Sequence, residues 1–275
     1  MHRIQAILAP VPLPRVVRIT QTFPAPKLPD PVASLRAAFA ACPAAERIKP
    51  GQSIALTVGS RGIACLPELV RALVEAIALR GAKPFIVPAM GSHGGATGEG
   101  QKELIAGLGV TEESAGCPIR SGMEIVETGR LANGMPVSLD KDASEADGII
   151  VFNRIKPHNS FRHAVESGLC KMLAIGLGKR QGAECCHSLG MTEIGPLIEA
   201  MAEAQLRNPR ILMGIATLEN AYDEIAEAAA FPAEELIARE KEAQIRAKAN
   251  MPRLLLNPLD ALVVDQSGKE FSGGG

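Results

Sequence analysis

At 275 residues and a formal net charge of −1, the chain has room for one large domain or two smaller ones and lacks the basic balance that drives nucleic-acid or membrane-surface binding. Seven Phe, one Tyr and no Trp leave few rings for stacking against single strands, while 47% hydrophobic residues suffice for a sizeable core. Six cysteines without CxxC spacing, no apolar leader behind Met1 and no apolar run of bilayer length make a reduced, cytoplasmic protein the expectation.

Residues 1–30 are studded with proline, as in Ala9-Pro10-Val11-Pro12-Leu13-Pro14, and are expected to form an extended arm over the domain. Ser53-Ile54-Ala55-Leu56-Thr57-Val58 reads as a buried strand. Leu66, Leu69, Val70, Leu73, Val74 and Ile77 then recur at helical spacing, with Gly81 as the C-cap candidate. Phe85-Ile86-Val87 is a second strand running into a glycine-rich loop, Gly91 to Gly100, and a helix is expected from about Glu99 to Leu108. Val137-Ser138-Leu139 is a short strand, and Gly148-Ile149-Ile150-Val151-Phe152 is a stronger one. A helix over Pro196 to Leu206, a strand over Ile211 to Ala216 and a charged amphipathic helix over Pro232 to Ala249 follow. Ala261-Leu262-Val263-Val264-Asp265 reads as the last strand. Strands alternating with helices predict a Rossmann-like α/β domain over 31–250, its mostly parallel sheet covered on both faces. Residues 251–275 read as the start of a second, C-terminal domain. The ending Lys269-Glu270-Phe271-Ser272-Gly273-Gly274-Gly275 falls where a loop normally feeds a further element, so the expectation is the N-terminal part of a longer, two-domain protein.

The polar loops fall in a pattern. Gly59-Ser60-Arg61-Gly62, Gly91-Ser92-His93-Gly94-Gly95 and Asn153-Arg154-Ile155-Lys156-Pro157-His158 each follow an expected strand. In open α/β sheets ligands bind outside that edge, so Arg61, His93 and His158 are expected to share one crevice. Histidine titrates near neutrality and ligates metals, and the chain has only five of them. A turn histidine and a backbone-bonded loop histidine are the plain alternatives for His93 and His158. Lys171 lies sixteen residues before His187, which follows Cys185 and Cys186. Taken alone, Lys171 reads as a surface lysine and the cysteines as small buried residues rather than thiolate ligands. His163 reads as a surface histidine. Gly176-Leu177-Gly178-Lys179-Arg180-Gln181-Gly182 has the glycine spacing of a phosphate loop without the ending of a P-loop, and a helix from near Gly182 would add its positive end.

Together these residues resemble the nickel-dependent lactate racemases. Gly91-Ser92-His93 resembles their Gly-Thr-His loop, Pro157-His158 their Pro-His motif, and Ser60-Arg61 a Thr-Arg pair after the first strand. Lys171 and His187 match that family's lysine and metal-binding histidine in order and spacing. Between His158 and Lys171 the chain departs from the pattern: it has three more residues, and Ser160 to Gly168 replaces a small Gly-Phe-Ser-Gly-Gly stretch.

The resemblance implies a racemase or epimerase of a 2-hydroxy acid, acting by hydride abstraction and return through a nickel pincer nucleotide, pyridinium-3-thioamide-5-thiocarboxylic acid mononucleotide. It implies that Lys171 tethers the cofactor, His187 ligates Ni(II), His93 and His158 serve as acid and base, and Arg61 holds the substrate carboxylate. On that reading Gly176, Gly178 and Lys179 or Arg180 would receive the cofactor's phosphate. The implied partners are the 2-hydroxy acid and the proteins that make the cofactor; a homo-oligomer is compatible with it. Two rivals stay open: a nucleotide- or metal-binding homologue that has lost the cofactor, and a metal-assisted hydrolase using the histidines alone. Nickel with a lysine adduct would mark the first reading, and zinc without an adduct the hydrolase.

Overall fold

The computed structural model describes residues 5–7, 9, 10 and 15–266; His2 and the Lys269 to Gly275 ending lie outside the described residues. Its centre is a five-stranded sheet in the order β2-β1-β5-β6-β7, from Lys83–Pro88 (β2), Ser53–Val58 (β1), Gly148–Arg154 (β5), Ile211–Glu219 (β6) and Ile225–Pro232 (β7). The first four are parallel, and β7 returns antiparallel to β6. Both faces are buried, which is why β1 and β5 read as unbroken apolar runs. Alternate residues divide between two cores: Ile54, Leu56, Ile86, Ile150 and Phe152 enter one, while Ala55, Phe85, Val87, Ile149 and Val151 enter the other.

Helices α1 (Pro31–Ala41) and α2 (Leu66–Ala78) cover the first face. The expected helical stripe of α2 is buried at every position from Leu66 to Ile77. Gly81 turns the chain three residues past its end with a φ of +77°. Helix α3 (Gly98–Gly107) starts at Thr97, whose side chain accepts the Gly100 N–H. The second face carries α6 (Leu169–Lys171), α7 (Lys179–Ser188), α8 (Ile194–Leu206) and α9 (Leu236–Asn250). Two short helices add to the same layers, α4 (Glu112–Ala115) placing Ala115 in the first core and α5 (Lys141–Glu145) placing Ala143 in the second. No helix among the described residues is long and apolar enough to cross a membrane.

Two strand expectations need correction. Val137 to Leu139 is a strand, β4 (Pro136–Asp140), but it pairs outside the main sheet with β3 (Ile125–Arg130). Ala261 to Asp265 forms no strand, and Val263 is 91% exposed. The fifth strand is instead β7, whose Ile-Ala-Glu-Ala-Ala-Ala-Phe-Pro sequence is poor in β-formers and is held by pairing with β6. Of the N-terminal arm, residues 15–20 are exposed, while Leu28 N–H donates to the Ile225 carbonyl and Asn220 Nδ2 to that of Pro26.

The chain runs from β1 outward to β2 and then crosses back to place β5 on β1's other side. The direction of winding therefore reverses between β1 and β5. Beyond their carboxyl ends such a reversal leaves a crevice.

Candidate active site

A pocket of about 330 Å³ fills that crevice. Arg61 enters it from the loop after β1, His93 from the loop after β2, and Lys156 and His158 from the loop after β5. Lys171 and His187 line it from the α6 and α7 side. Six of the residues singled out in the sequence thus share one cavity: Arg61, His93, His158, Lys171, Gly176 and His187.

Local structure explains these placements. Gly91 has a φ of +62°, and a Cβ there would meet Ile175 Cγ2 at 2.9 Å. Gly176 lines the pocket and lies so close to the β2 loop that a Cβ would meet the Ala89 carbonyl at 2.7 Å. These two glycines let the His93 loop rest directly on the segment that follows Lys171. That segment, Met172–Gly176, is a π-helical turn, closed by Leu177 N–H on the Met172 carbonyl at 2.8 Å. Such wide turns recur at functional sites. Its first turn is capped from behind: Cys170 N–H donates to Glu240 Oε2 of α9 at 2.7 Å.

The His158 loop is braced from the same helix. Buried Glu166 accepts the His158 N–H at 2.7 Å and the His163 N–H at 3.1 Å, and pairs with Lys248 of α9 at 2.7 Å. Burial pushes the Glu166 carboxyl up, but Lys248 and the two amides outweigh it and hold the group below its ordinary range. Glu166 thus meets the backbone amide of His158 rather than its ring.

Among the described residues the pocket wall carries no carboxylate. It carries Arg61, Arg154, Lys156 and Lys171, and the crowding shows in their acidities. Burial, helped by Arg61, lowers the Lys171 amine to about 8. Burial with Arg154, Arg61 and Lys171 lowers Lys156 to about 8. Burial with Lys171 and Lys156 lowers His158 to about 4, so its ring is neutral at pH 7. His158 Nδ1 accepts the Ser160 N–H at 3.1 Å, which leaves the hydrogen on Nε2; the ring packs on Phe161 with centroids 4.3 Å apart. His93 Nδ1 lies 2.6 Å from Ser60 Oγ, a short bond in which either atom can donate.

Other expected residues lie elsewhere. Gly178 and Lys179 do not line the pocket. Lys179 is fully buried, paired with Asp140 at 2.9 Å and donating to the Pro88 carbonyl at 2.7 Å and Gln101 Oε1 at 3.2 Å. This corrects the phosphate reading of that lysine, because its charge is already balanced inside the protein. Helix α7 begins at Lys179 rather than near Gly182, and Gly182 is buried within it. Arg180 is exposed and pairs with Glu184. Cys186 is buried against Met201, and burial pushes its thiol up to about 12, as for a small core residue. His163 lies off the pocket, partly buried, with Nδ1 3.6 Å from Glu199. Ser60, Arg154 and Lys156 line the pocket although sequence position gave them no role of their own; Ser60 adjoins Arg61, and Arg154 and Lys156 lie at and just after the end of β5, ahead of His158.

No group of three or more His, Cys, Asp or Glu side chains among the described residues is placed to hold a metal ion. A metal at His187 would therefore draw its remaining donors from a bound group rather than from a protein cage of three. Lys171 makes no hydrogen bond or ion pair through its amine among the described residues. Acylation removes the charge of a lysine, so a position that disfavours the charged amine suits a covalent thioamide tether. The donor set and the cationic wall therefore fit a nucleotide carrying its own metal donors.

Comparison with known proteins agrees with this. The sequence pattern described as "Lactate racemase N-terminal domain" matches residues 7–195. No curated protein matches the sequence. Among solved structures, the fold is similar to the lactate racemase apoprotein from Thermoanaerobacterium thermosaccharolyticum, with a TM-score of 0.56 and 18% sequence identity. The match covers 77% of this chain and 54% of that one, so the chain spans about half the length of the racemase it resembles. At this identity the likeness is one of fold.

Proposed function

The chain belongs to the lactate racemase N-terminal domain family, and from that premise we propose that it racemises or epimerises a 2-hydroxy acid with a nickel pincer nucleotide tethered at Lys171. The observation that carries this reading is the juxtaposition of Lys171, whose amine has no partner among the described residues, with His187, His93, His158 and Arg61 around one pocket to which the described residues bring no carboxylate.

When bound, the nucleotide supplies an electron-pair acceptor beside the substrate's α-carbon. Lys171 would hold it covalently and His187 would ligate its nickel, imidazole being a suitable donor for Ni(II). The rest is work for the chain's own side chains. Arg61 presents a planar fork to the substrate carboxylate and fixes which carbon faces the reacting centre. In the tautomer where His93 Nδ1 donates to Ser60 Oγ, Nε2 carries the lone pair and takes the proton of the substrate hydroxyl. His158, neutral with its hydrogen on Nε2, donates a hydrogen bond to the substrate oxygen without giving the proton up, and the proton taken by His93 is the one returned to the product hydroxyl. For His158 to serve as the base it would have to give up the Ser160 amide bond, so the two histidines are unequal bases.

The test is intact mass with metal analysis on protein coexpressed with the proteins that make the cofactor, comparing wild type with Lys171→Ala. A lysine-dependent adduct carrying nickel is expected. A wild-type chain that stays unmodified would overturn the reading and leave a nucleotide- or metal-binding relative.

A further inference from the structure

The four cationic side chains on the pocket wall are not equivalent. Arg154 is ion-paired with Glu219. Lys171 loses its charge when it is acylated, as in the proposed enzyme. Arg61 and Lys156 are left, and neither side chain makes a hydrogen bond or ion pair among the described residues. Lys156 is also held firmly. Its backbone pairs with Ser167 in both directions, at 2.8 and 3.3 Å, directly after β5 and before Pro157. The protein thus holds a half-buried cation where burial and three other cations already penalise it. A buried charge without a partner is costly, and a ligand anion relieves that cost.

Arg61 accounts for one carboxylate. The geometry points to Lys156 as the subsite for a second anionic group of the substrate, so that the substrate is a 2-hydroxy dicarboxylate rather than a monocarboxylate. This rests on the racemase reading above. Lys156 and His158 come from one loop, two residues apart, and line the same pocket. A substrate whose hydroxyl meets His158 therefore lies in a cavity that Lys156 also lines, where a second carboxylate finds a cation. A nucleotide phosphate shares this anion chemistry, and the experiment separates the two sources.

The experiment is calorimetric titration of the cofactor-free Lys171→Met chain, which lacks the charge that acylation removes, with L-malate, L-lactate and nicotinic acid mononucleotide. L-Malate is expected to bind about tenfold tighter than L-lactate, as one charge-assisted contact allows. Adding Lys156→Gln should abolish that preference while leaving L-lactate within about twofold, and Lys156→Arg should restore it. The same comparison on the wild-type chain guards against a misfolded Lys171 variant. Equal binding of the two acids, an equal loss for both in Lys156→Gln, or a Lys156 dependence confined to the mononucleotide would each overturn the assignment. Failure of the racemase reading would show separately, as a missing adduct on Lys171, which these titrations do not use.

Discussion

Lys171 and Lys179 stand eight residues apart on the segment that follows β5, and the protein treats them in opposite ways. Lys179 is sealed under α3 with Asp140, a carbonyl and an amide oxygen around its amine, held there despite a left-handed φ of +51°. Lys171 lines the crevice and has no such partner among the described residues. Glu240, behind Lys171, stands between the two cases: Oε2 accepts the Cys170 N–H, while buried Oε1 has no hydrogen-bond partner among the described residues. A buried charge whose partners are all supplied by the fold serves the fold. One left uncompensated costs stability that the structure alone does not recover, and that points to a ligand.

The contrast can be broken at either end. The largest effect belongs to Lys179→Met, which strands Asp140 in the core and should cost about 3–5 kcal/mol in a denaturant melt. Lys179→Met with Asp140→Leu should recover most of that loss, and a mild single variant would show that the pair is not the clamp described here. The next effect is chemical. With its amine lowered to about 8, Lys171 should be half-deprotonated near that pH and react with an acylating reagent there at half its limiting rate. At pH 8 it should react about 10- to 100-fold faster than an ordinary lysine, while Lys179 stays protected in the native protein; peptide mass mapping against pH reads both.

The smallest effect concerns Glu240, whose carboxyl burial pushes up to about 7. Between the ordinary 4.5 and 7 the folded protein holds a proton that the unfolded chain has lost, so this group's contribution to stability falls as pH rises through that window. Glu240→Gln should flatten the slope and gain roughly 1–3 kcal/mol at pH 8 relative to wild type. Parallel stability-against-pH curves for the two proteins would show that Glu240 does not titrate there.

What the sequence disclosed and what it hid follow the same division. His93 and His158 were legible because Gly and Pro mark them as loop residues at the ends of strands whose apolar alternation is plain. Lys179 was misread because its partner, Asp140, comes from the end of β4, and nothing local in Gly-Leu-Gly-Lys announces a cation bound for the interior. The strand β7 hid for a related reason: its alanines and glutamates carry little β-preference, and pairing with β6 supplies what they lack. Ala261 to Asp265 made the opposite error available, since β-branched residues without a neighbouring strand remain exposed. The charge balance of the pocket, and with it the importance of Lys156, appears only when loops from three strands are brought together.

The π-helical turn at Met172–Gly176 has a consequence for how this chain tolerates change. It closes over five residues what an α-turn closes over four, so it works as a phase shift between the segments on either side. Deleting one residue there would restore an ordinary helix and rotate Lys171 by about 100° against His187. Apart from Gly176, where a Cβ would strike the Ala89 carbonyl, side chains in this stretch can be exchanged for others of like size, but their number cannot change without uncoupling the lysine from the histidine.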